Sequence, residues 1–318
     1  MIEISHLTKK YGAHMAVDDL SLTMEPGRIY GFLGPNGAGK STTMNIITGY
    51  LGATDGEVKI NGFDIFEHPQ EARRCVGYLP ELPPLYQEMT VLEYLQFVAE
   101  LKEIKKDQRR DQIEEVMELT GVAEMSRRLI RNISKGYRQR VGLAQAILGK
   151  PQVVILDEPT VGLDPKQIIE MRELIRELGK SHTVILSSHI LPEVSAVCDH
   201  IFILSKGRLV ASDSTEQLTH SLAGAPQLTL ELKGQREAVE ALVAEIQEEK
   251  EPRPAEALLT AGSQEGLWQV KLELSGTEEL REKIFYACAK AEIPIYRMQL
   301  EEHTLEDVFL NLTGGEQQ

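Results

Sequence analysis

The stretch Gly34-Pro35-Asn36-Gly37-Ala38-Gly39-Lys40-Ser41-Thr42 fits the phosphate-binding loop G-x-x-x-x-G-K-[ST], with Gly34, Gly39, Lys40 and Ser41 at the fixed positions. Before it, Ile29-Tyr30-Gly31-Phe32-Leu33 is long and apolar enough for a buried strand. After it, Thr42, Thr43, Met44, Ile46 and Ile47 recur at helical spacing. Strand, glycine-rich loop and helix together form a nest of backbone N–H groups at a helix N-terminus, aimed at phosphate oxygens. Glycine allows the main chain close approach because it carries no Cβ. Lys40 supplies a point charge on the phosphates, and the Ser41 hydroxyl is a ligand for Mg²⁺. The expectation is a nucleotide site in an α/β domain.

The chain has 318 residues, enough for roughly two domains. Composition is globular, at 42% hydrophobic and 26% charged residues. No apolar run approaches the roughly 18 residues of a membrane span, and the N-terminus MIEISHLTKKYG lacks the apolar core of a signal peptide. Cys75, Cys198 and Cys288 lie far apart without metal-ligand spacing and read as small buried thiols of a reducing compartment. Net charge is −15, unevenly placed: residues 225–318 carry 19 acidic and 9 basic side chains. Such a surface repels nucleic acid and anionic lipid, so a DNA- or RNA-directed ATPase is disfavoured.

A phosphate loop serves kinases, GTPases and helicases alike, and a second feature narrows the choice. Pro151-Gln152-Val153-Val154-Ile155-Leu156-Asp157-Glu158-Pro159-Thr160 is an apolar strand ending in adjacent carboxylates. Ligand chemistry in open α/β sheets sits at strand carboxyl ends, which places Asp157 to hold Mg²⁺ and Glu158 to orient water. The N-K-x-D guanine reader of a GTPase is absent. Between these features, Asn132-Ile133-Ser134-Lys135-Gly136-Tyr137-Arg138-Gln139-Arg140 precedes a helical apolar pattern, and Ser134 suits an N-cap.

At this point the chain resembles the ATP-binding subunits of ABC transporters, whose LSGGQ signature appears here as ISKGY followed by RQR, a form similar to gliding-motility-type and other ABC-2 exporter ATPases. Lys135 and Tyr137 depart from that signature, whereas Ser134 and Gly136 are retained. The resemblance covers residues 1 to about 215 in family order. It implies that Tyr11 would stack on adenine, that Val161-Gly162-Leu163-Asp164-Pro165 would cross to a partner subunit, with Asp164 at the nucleotide, and that His189, ending the strand Thr183–Ser188, would touch the γ-phosphate. Gly77-Tyr78-Leu79-Pro80-Glu81 carries Glu81 where the family usually has Gln, at a position linking Mg²⁺ and the γ-phosphate to the membrane partner. Hard oxygen ligands suit Mg²⁺, so Glu81 joins Ser41 and Asp157 as a candidate metal ligand.

The expected fold is a P-loop NTPase cassette of the α/β class. Residues 1–75 and 150–215 form its nucleotide-binding core, an antiparallel sheet comes from the first strands, and a helical subdomain spans about 85–148. Residues 216–224 read as a connector. A C-terminal domain, 225–318, is expected as strand 227–233, helix 235–248, strand 255–261, strand 267–274, helix 278–291 and strand 294–300, the split βαβ order of ferredoxin-like folds. A short helix from Thr304 follows. That domain holds no hydrolytic set and is read as regulatory or dimer-stabilising.

The implied function is ATP hydrolysis powering export through a separate permease. ATP and Mg²⁺ are the cofactors, and the working form is a head-to-tail dimer on the cytoplasmic face of the membrane. Lys40, Glu158 and His189 carry the chemistry; Tyr11, Gly34, Pro35, Asn36, Gly37, Ala38, Gly39, Ser41, Thr42, Glu81 and, across the dimer, Ser134, Gly136 and Asp164 hold nucleotide. Two other readings compete: a soluble ABC ATPase acting on a ribosomal or DNA partner, and a module that holds ATP without turnover. The first usually has two cassettes or a long coiled coil, which this chain lacks. The second is disfavoured by Glu158 and His189.

Overall fold

The computed structural model describes residues 1–222, 227–248, 254–261, 266–274, 281–301 and 309, which fall into two compact units, Met1–Thr215 and Glu216–Asn311. Among the described residues no helix is long and apolar enough to cross a membrane.

The first unit opens with β1 (Ile2–Tyr11) and β2 (His14–Met24), an antiparallel pair whose buried residues alternate with exposed ones, as expected of a sheet covered on one face. With β4 (Asp55–Ile60) and β5 (Phe63–Asp64) they form a sheet of order β2-β1-β4-β5. The strand β3 (Ile29–Leu33) and the helix α1 (Lys40–Ile47) lie between β2 and β4 in sequence and flank the glycine-rich loop.

The central sheet has the order β10-β9-β3-β8-β7-β6. Its parallel members are β3, β6 (Val76–Leu79), β7 (Val153–Asp157), β8 (Thr183–Ser188) and β9 (His200–Ser205), and β10 (Arg208–Asp213) closes the edge as an antiparallel hairpin with β9. Every residue of β3, β7 and β8 is buried. Continuous apolar runs are what a parallel sheet covered on both faces requires. The expected core ended at residue 75, whereas Val76–Leu79 pairs with β7 and extends the sheet to its far edge. Its apolar run is only four residues, too short to read as a strand without its neighbour. Tyr30 stacks on Phe202 with centroids 5.7 Å apart, and Phe32 packs on the same ring at 5.3 Å. These side chains join the antiparallel sheet and α1 in one apolar core.

The helix α2 (Pro69–Arg74) precedes β6, and the helical region follows it as α3 (Val91–Leu101), α4 (Lys106–Leu119), two single 3-10 turns and α5 (Lys135–Ile147). Thr90 and Glu93 make a complete capping box at the start of α3. Lys102, just past the end of α3, donates to the carbonyls of Gln145, Ala146 and Leu148 at 2.8, 3.1 and 2.6 Å. It thereby satisfies acceptors that the end of α5 leaves open, and its burial holds its pKa down to about 8. After β7 come α6 (Pro165–Gly179) and, beyond β8, α7 (Leu191–Val197).

The stretch read as a connector is mostly helix, α8 (Thr215–Leu222). Thr215-Glu216-Gln217-Leu218 has helix-forming chemistry without glycine or proline, and the buried Leu218 anchors it. The second unit runs β11 (Gln227–Lys233), α9 (Arg236–Glu248), β12 (Pro254–Ala261), β13 (Leu267–Leu274), α10 (Arg281–Lys290) and β14 (Ile295–Glu301). All its strand pairs are antiparallel, in the order β12-β13-β11-β14. This is the ferredoxin-like arrangement that the order of elements implied. Leu228, Leu230, Leu232, Val270 and Leu272 of the sheet pack with Val239, Leu242, Ile246, Ile284 and Cys288 of the helices. Cys75, Cys198 and Cys288 are all buried free thiols. The helix expected from Thr304 lies outside the described residues, except for Phe309.

Candidate functional site

The central sheet sets three loops side by side, because β8 lies between β3 and β7 and all three run parallel. Neighbouring strands are separated by about 4.8 Å. The phosphate loop after β3, the carboxylates ending β7 and His189 after β8 therefore emerge at one edge, about two strand spacings wide.

Gly39 begins α1 in the left-handed region, at φ 101°, and no side chain caps the helix. A Cβ built on Gly39 would lie 2.6 Å from the Ala16 carbonyl oxygen, and one on Gly34 would lie 2.4 Å from that of Leu204. Both contacts are with backbone, so no side-chain movement relieves them. The first N–H groups of α1 are left for an anion, where the helix dipole also favours negative charge. Lys40 is buried, and its ammonium donates to the Gly34 and Pro35 carbonyls at 2.6 and 3.2 Å. Burial lowers its pKa, while Glu158 and Asp157 act to raise it. A phosphate entering the loop offers this cation charged acceptors in place of neutral ones.

Asp157 is buried at the end of β7 and accepts a hydrogen bond from the Ser187 hydroxyl. The Tyr78 hydroxyl lies 3.4 Å from its other oxygen. Burial, and then the Asp157 charge, push the Tyr78 phenol well above its usual range, so it stays a donor. Glu158 adopts φ 48°, a left-handed conformation that is uncommon for residues with a Cβ and clusters at functional sites. Its amide donates to the backbone oxygen and the hydroxyl of Ser187, both at 3.2 Å. Its carboxylate oxygens lie 3.0 and 3.1 Å from His189 Nδ1.

A cleft of about 390 Å³ opens over these groups. Of the sequence-predicted residues, Tyr11, Asn36, Gly37, Ala38, Gly39, Lys40, Ser41, Thr42, Glu81, Glu158 and His189 line it. Gly34 and Asp157 are buried and do not line it. Pro35 is exposed on the loop and does not line the cleft. His14, which pairs with Tyr11 across the β1–β2 turn, and Ala16 line the cleft without having been expected, and Val161, expected in a loop crossing to a partner, lines it within the same chain. No sequence signal marks His14 or Ala16, nor the supporting roles of Ser187 and Tyr78. Among the described residues no group of three His, Cys, Asp or Glu side chains is placed to hold a metal. Ser41 lines the cleft, and the buried Asp157 carboxylate is close enough for its charge to act on Lys40; hard oxygen donors of this kind beside a phosphate nest fit Mg²⁺, an ion that takes one or two protein ligands and completes its shell with phosphate and water. Glu81 is exposed at the rim. Glu81→Gln is expected to leave the basal ATPase rate within about threefold of wild type; abolished hydrolysis would assign Glu81 to catalysis.

Ser134, Gly136 and Asp164 do not reach this cleft. Ser134 caps α5 by accepting from the Tyr137 amide at 3.3 Å, and Asp164 caps α6 by accepting from the Gln167 amide at 2.9 Å. Gly136 and Asp164 instead line a separate groove of about 660 Å³ between α5 and α6. A Cβ on Gly136 would meet the Gln167 carboxamide at 2.7 Å, so the two helices touch at that residue. The ammonium of Lys135 lies against Gly162, where an added Cβ would be 2.1 Å from Nζ. The Tyr137 hydroxyl donates to Glu124. Both departures from the usual signature therefore have local partners.

A parallel sheet whose strand ends gather a phosphate loop, paired carboxylates and a histidine defines a P-loop nucleoside triphosphatase. Residues 17–161 match the family model described as ABC transporter. The chain is 34% identical to the bacitracin transport ATP-binding protein BcrA of Bacillus licheniformis, over 99% of this chain and 98% of that one. It is 29% identical to the linearmycin resistance ATP-binding protein LnrL of Bacillus subtilis, with the same coverage. Among solved structures, an ATP-binding subunit of an ABC transporter is 30% identical, with a TM-score of 0.64 over 70% of this chain and 92% of that one. A dimeric structure of MJ0796, a bacterial ABC transporter cassette, is 25% identical with a TM-score of 0.61, over 67% and 98%. The chain belongs to the ABC transporter ATP-binding family, and its reaction is the hydrolysis of ATP.

Proposed function

We propose that this protein is the ATP-hydrolysing subunit of an ABC-2-type exporter, peripheral on the cytoplasmic face of a membrane and coupled to a separate permease. In this reading two copies pair head to tail, and each ATP meets Lys40, Glu158 and His189 of one copy and Ser134 and Gly136 of the other. The observation that carries it is the division of these groups between two surfaces of one chain: the hydrolytic set lines the cleft, while Gly136 and Asp164 line another groove. BcrA and LnrL, named for bacitracin transport and linearmycin resistance, match the chain end to end, including its second unit, which supports the exporter class.

In the mechanism, the α1 N–H groups and Lys40 bind the β- and γ-phosphates. Ser41 and Asp157 would hold Mg²⁺, which when bound would supply neutralisation of phosphate charge. Glu158 orients water in line with the γ-phosphate, and His189, held against Glu158, contacts the phosphate that leaves. Because the γ-phosphate links the two copies, binding closes the pair and hydrolysis releases it, and this movement drives the permease.

Complementation tests the pairing. Lys40→Ala and Ser134→Arg are each expected to be nearly inactive as homodimers. A mixture forms heterodimers in which one site carries both changes and the other carries neither, so activity is expected to return. No recovery on mixing, with each variant folded, would overturn the head-to-tail site.

The second unit is assigned a regulatory or dimer-stabilising role. Shortened to end at Ser214, the chain is expected to bind ATP and retain basal hydrolysis, with altered dimerisation or altered coupling to the permease. ATPase rate and oligomeric state at matched concentration are the measurements. A folded shortened chain that fails to bind ATP would show that the second unit helps build the nucleotide site.

A further inference from the structure

Glu158 and His189 follow the ends of neighbouring strands, and the backbone ladder that aligns them ends at the Glu158 amide, which donates to the Ser187 carbonyl, short of His189. The last register pair of β7 and β8 is Asp157 with Ser187. Beyond it the two loops meet again at a buried carboxylate. Thr160 Oγ1, two residues after Glu158, donates to Glu193 Oε2 at 2.5 Å. Ser188 Oγ, immediately before His189, donates to the same oxygen at 3.2 Å and accepts from the Ile190 amide at 3.0 Å. Glu193 lies in the first turn of α7, where a carboxylate suits the helix dipole, and its amide donates to the Ile190 carbonyl at 3.1 Å. Glu193 and Thr160 are each 5% exposed and Ser188 is fully buried, and none of the three lines the cleft.

Beside the Glu158 amide, which donates to the carbonyl and hydroxyl of Ser187, two side-chain links join the loops that carry the chemistry. The first, between Glu158 and His189, lies in the cleft. Glu158 must share or give up that bond to orient water, and His189 must face phosphate. The second, from Thr160 and Ser188 to Glu193, is buried and lies outside the cleft. When ATP occupies the site, the Glu158 amide bonds to Ser187 hold the strand ends together, and the buried link ties the residues beyond them, Thr160 after Glu158 and Ser188 before His189. We propose that Glu193 is a positioning residue for hydrolysis, fixing the separation of Glu158 and His189 through the hydroxyls of Thr160 and Ser188. It does not line the nucleotide cleft. What it supplies is a single acceptor oxygen shared by two loops. The inference rests on the assignment of Glu158 and His189 to the hydrolytic site.

The test uses the full-length protein and compares Glu193→Ala, Glu193→Gln and Thr160→Val for kcat, KM for ATP, ATP binding and Tm. Displacements of about 1 Å in a catalytic group cost on the order of 10²-fold in rate. Glu193→Ala and Thr160→Val are expected to lower kcat by about tenfold or more, with KM and ATP binding within about twofold of wild type. Glu193→Gln keeps an acceptor oxygen for both hydroxyls and is expected to retain at least half of kcat. Unchanged kcat in Thr160→Val would overturn the proposal, as would a Glu193→Gln variant as slow as Glu193→Ala, or a loss confined to ATP binding. If Glu193→Ala fails to fold, Thr160→Val, which removes one hydroxyl without changing side-chain shape, decides. Glu158→Gln run alongside separates the two assignments: if it abolishes turnover while Thr160→Val does not, only the role of Glu193 falls. If Glu158→Gln turns over normally, both fall.

Discussion

Glu158→Gln is expected to cut ATP turnover by on the order of 10²-fold or more while leaving ATP binding intact. The carboxylate is buried at the base of the cleft and held 3.0 Å from His189. The amide that replaces it has the same shape and keeps one acceptor oxygen, so the left-handed turn at residue 158 and the phosphate loop are not disturbed. What changes is the charge and the second acceptor, which are the properties needed to orient water for in-line attack. With binding retained and hydrolysis blocked, ATP is expected to hold the protein as a dimer, read by size-exclusion chromatography with and without nucleotide. Near-normal turnover in this variant removes Glu158 from the mechanism. Low turnover without an ATP-dependent dimer keeps Glu158 but counts against closure through the γ-phosphate.

Lys40→Ala acts one step earlier. The ammonium is buried against the Gly34 and Pro35 carbonyls, and burial already disfavours its charge. A cation kept under those conditions recovers its cost when phosphate oxygens arrive. Its removal is expected to weaken ATP binding by on the order of 10²-fold, about 2.7 kcal/mol, and hydrolysis falls with it. Titration of ATP binding by calorimetry or fluorescence measures this directly. Unchanged affinity would mean that the backbone nest alone holds the phosphates. The two variants thus fail in different ways, one in turnover and one in binding, and a protein that merely stored ATP would show only the second.

Much of this site is readable from the amino-acid order because its chemistry depends on local spacing. Gly34, Gly39 and Lys40 work as a set only when a strand and a helix flank them at fixed distance, and that distance is counted in residues. The same holds for Asp157 and Glu158 at the end of an apolar run, and for Ser134 as a cap ahead of α5. The order of elements in the second unit was equally legible, since apolar alternation on Leu228, Leu230 and Leu232 and helical spacing on Val239, Leu242 and Ile246 are properties of short segments. The strand Val76–Leu79, just past the expected core boundary at 75, and the helix within the connector 216–224 were not read, for the complementary reason. A four-residue strand is defined by pairing with Val153–Leu156 in the sheet, and a short helix has too few turns to leave a period.

The sequence by itself determined that this chain binds a nucleotide phosphate, carries paired carboxylates at a strand end and belongs among ABC cassettes, because each of those properties resides in contiguous residues. Only the tertiary structure decided which groups share one cleft. It set β8 between β3 and β7, so that His189 reaches Glu158, and it turned Gly136 and Asp164 toward a separate groove. It also joined Thr160, Ser188 and Glu193, which are separated by up to 33 residues, around one buried oxygen. Such partners meet through strand order and helix packing, and neither is encoded in the spacing of neighbouring residues.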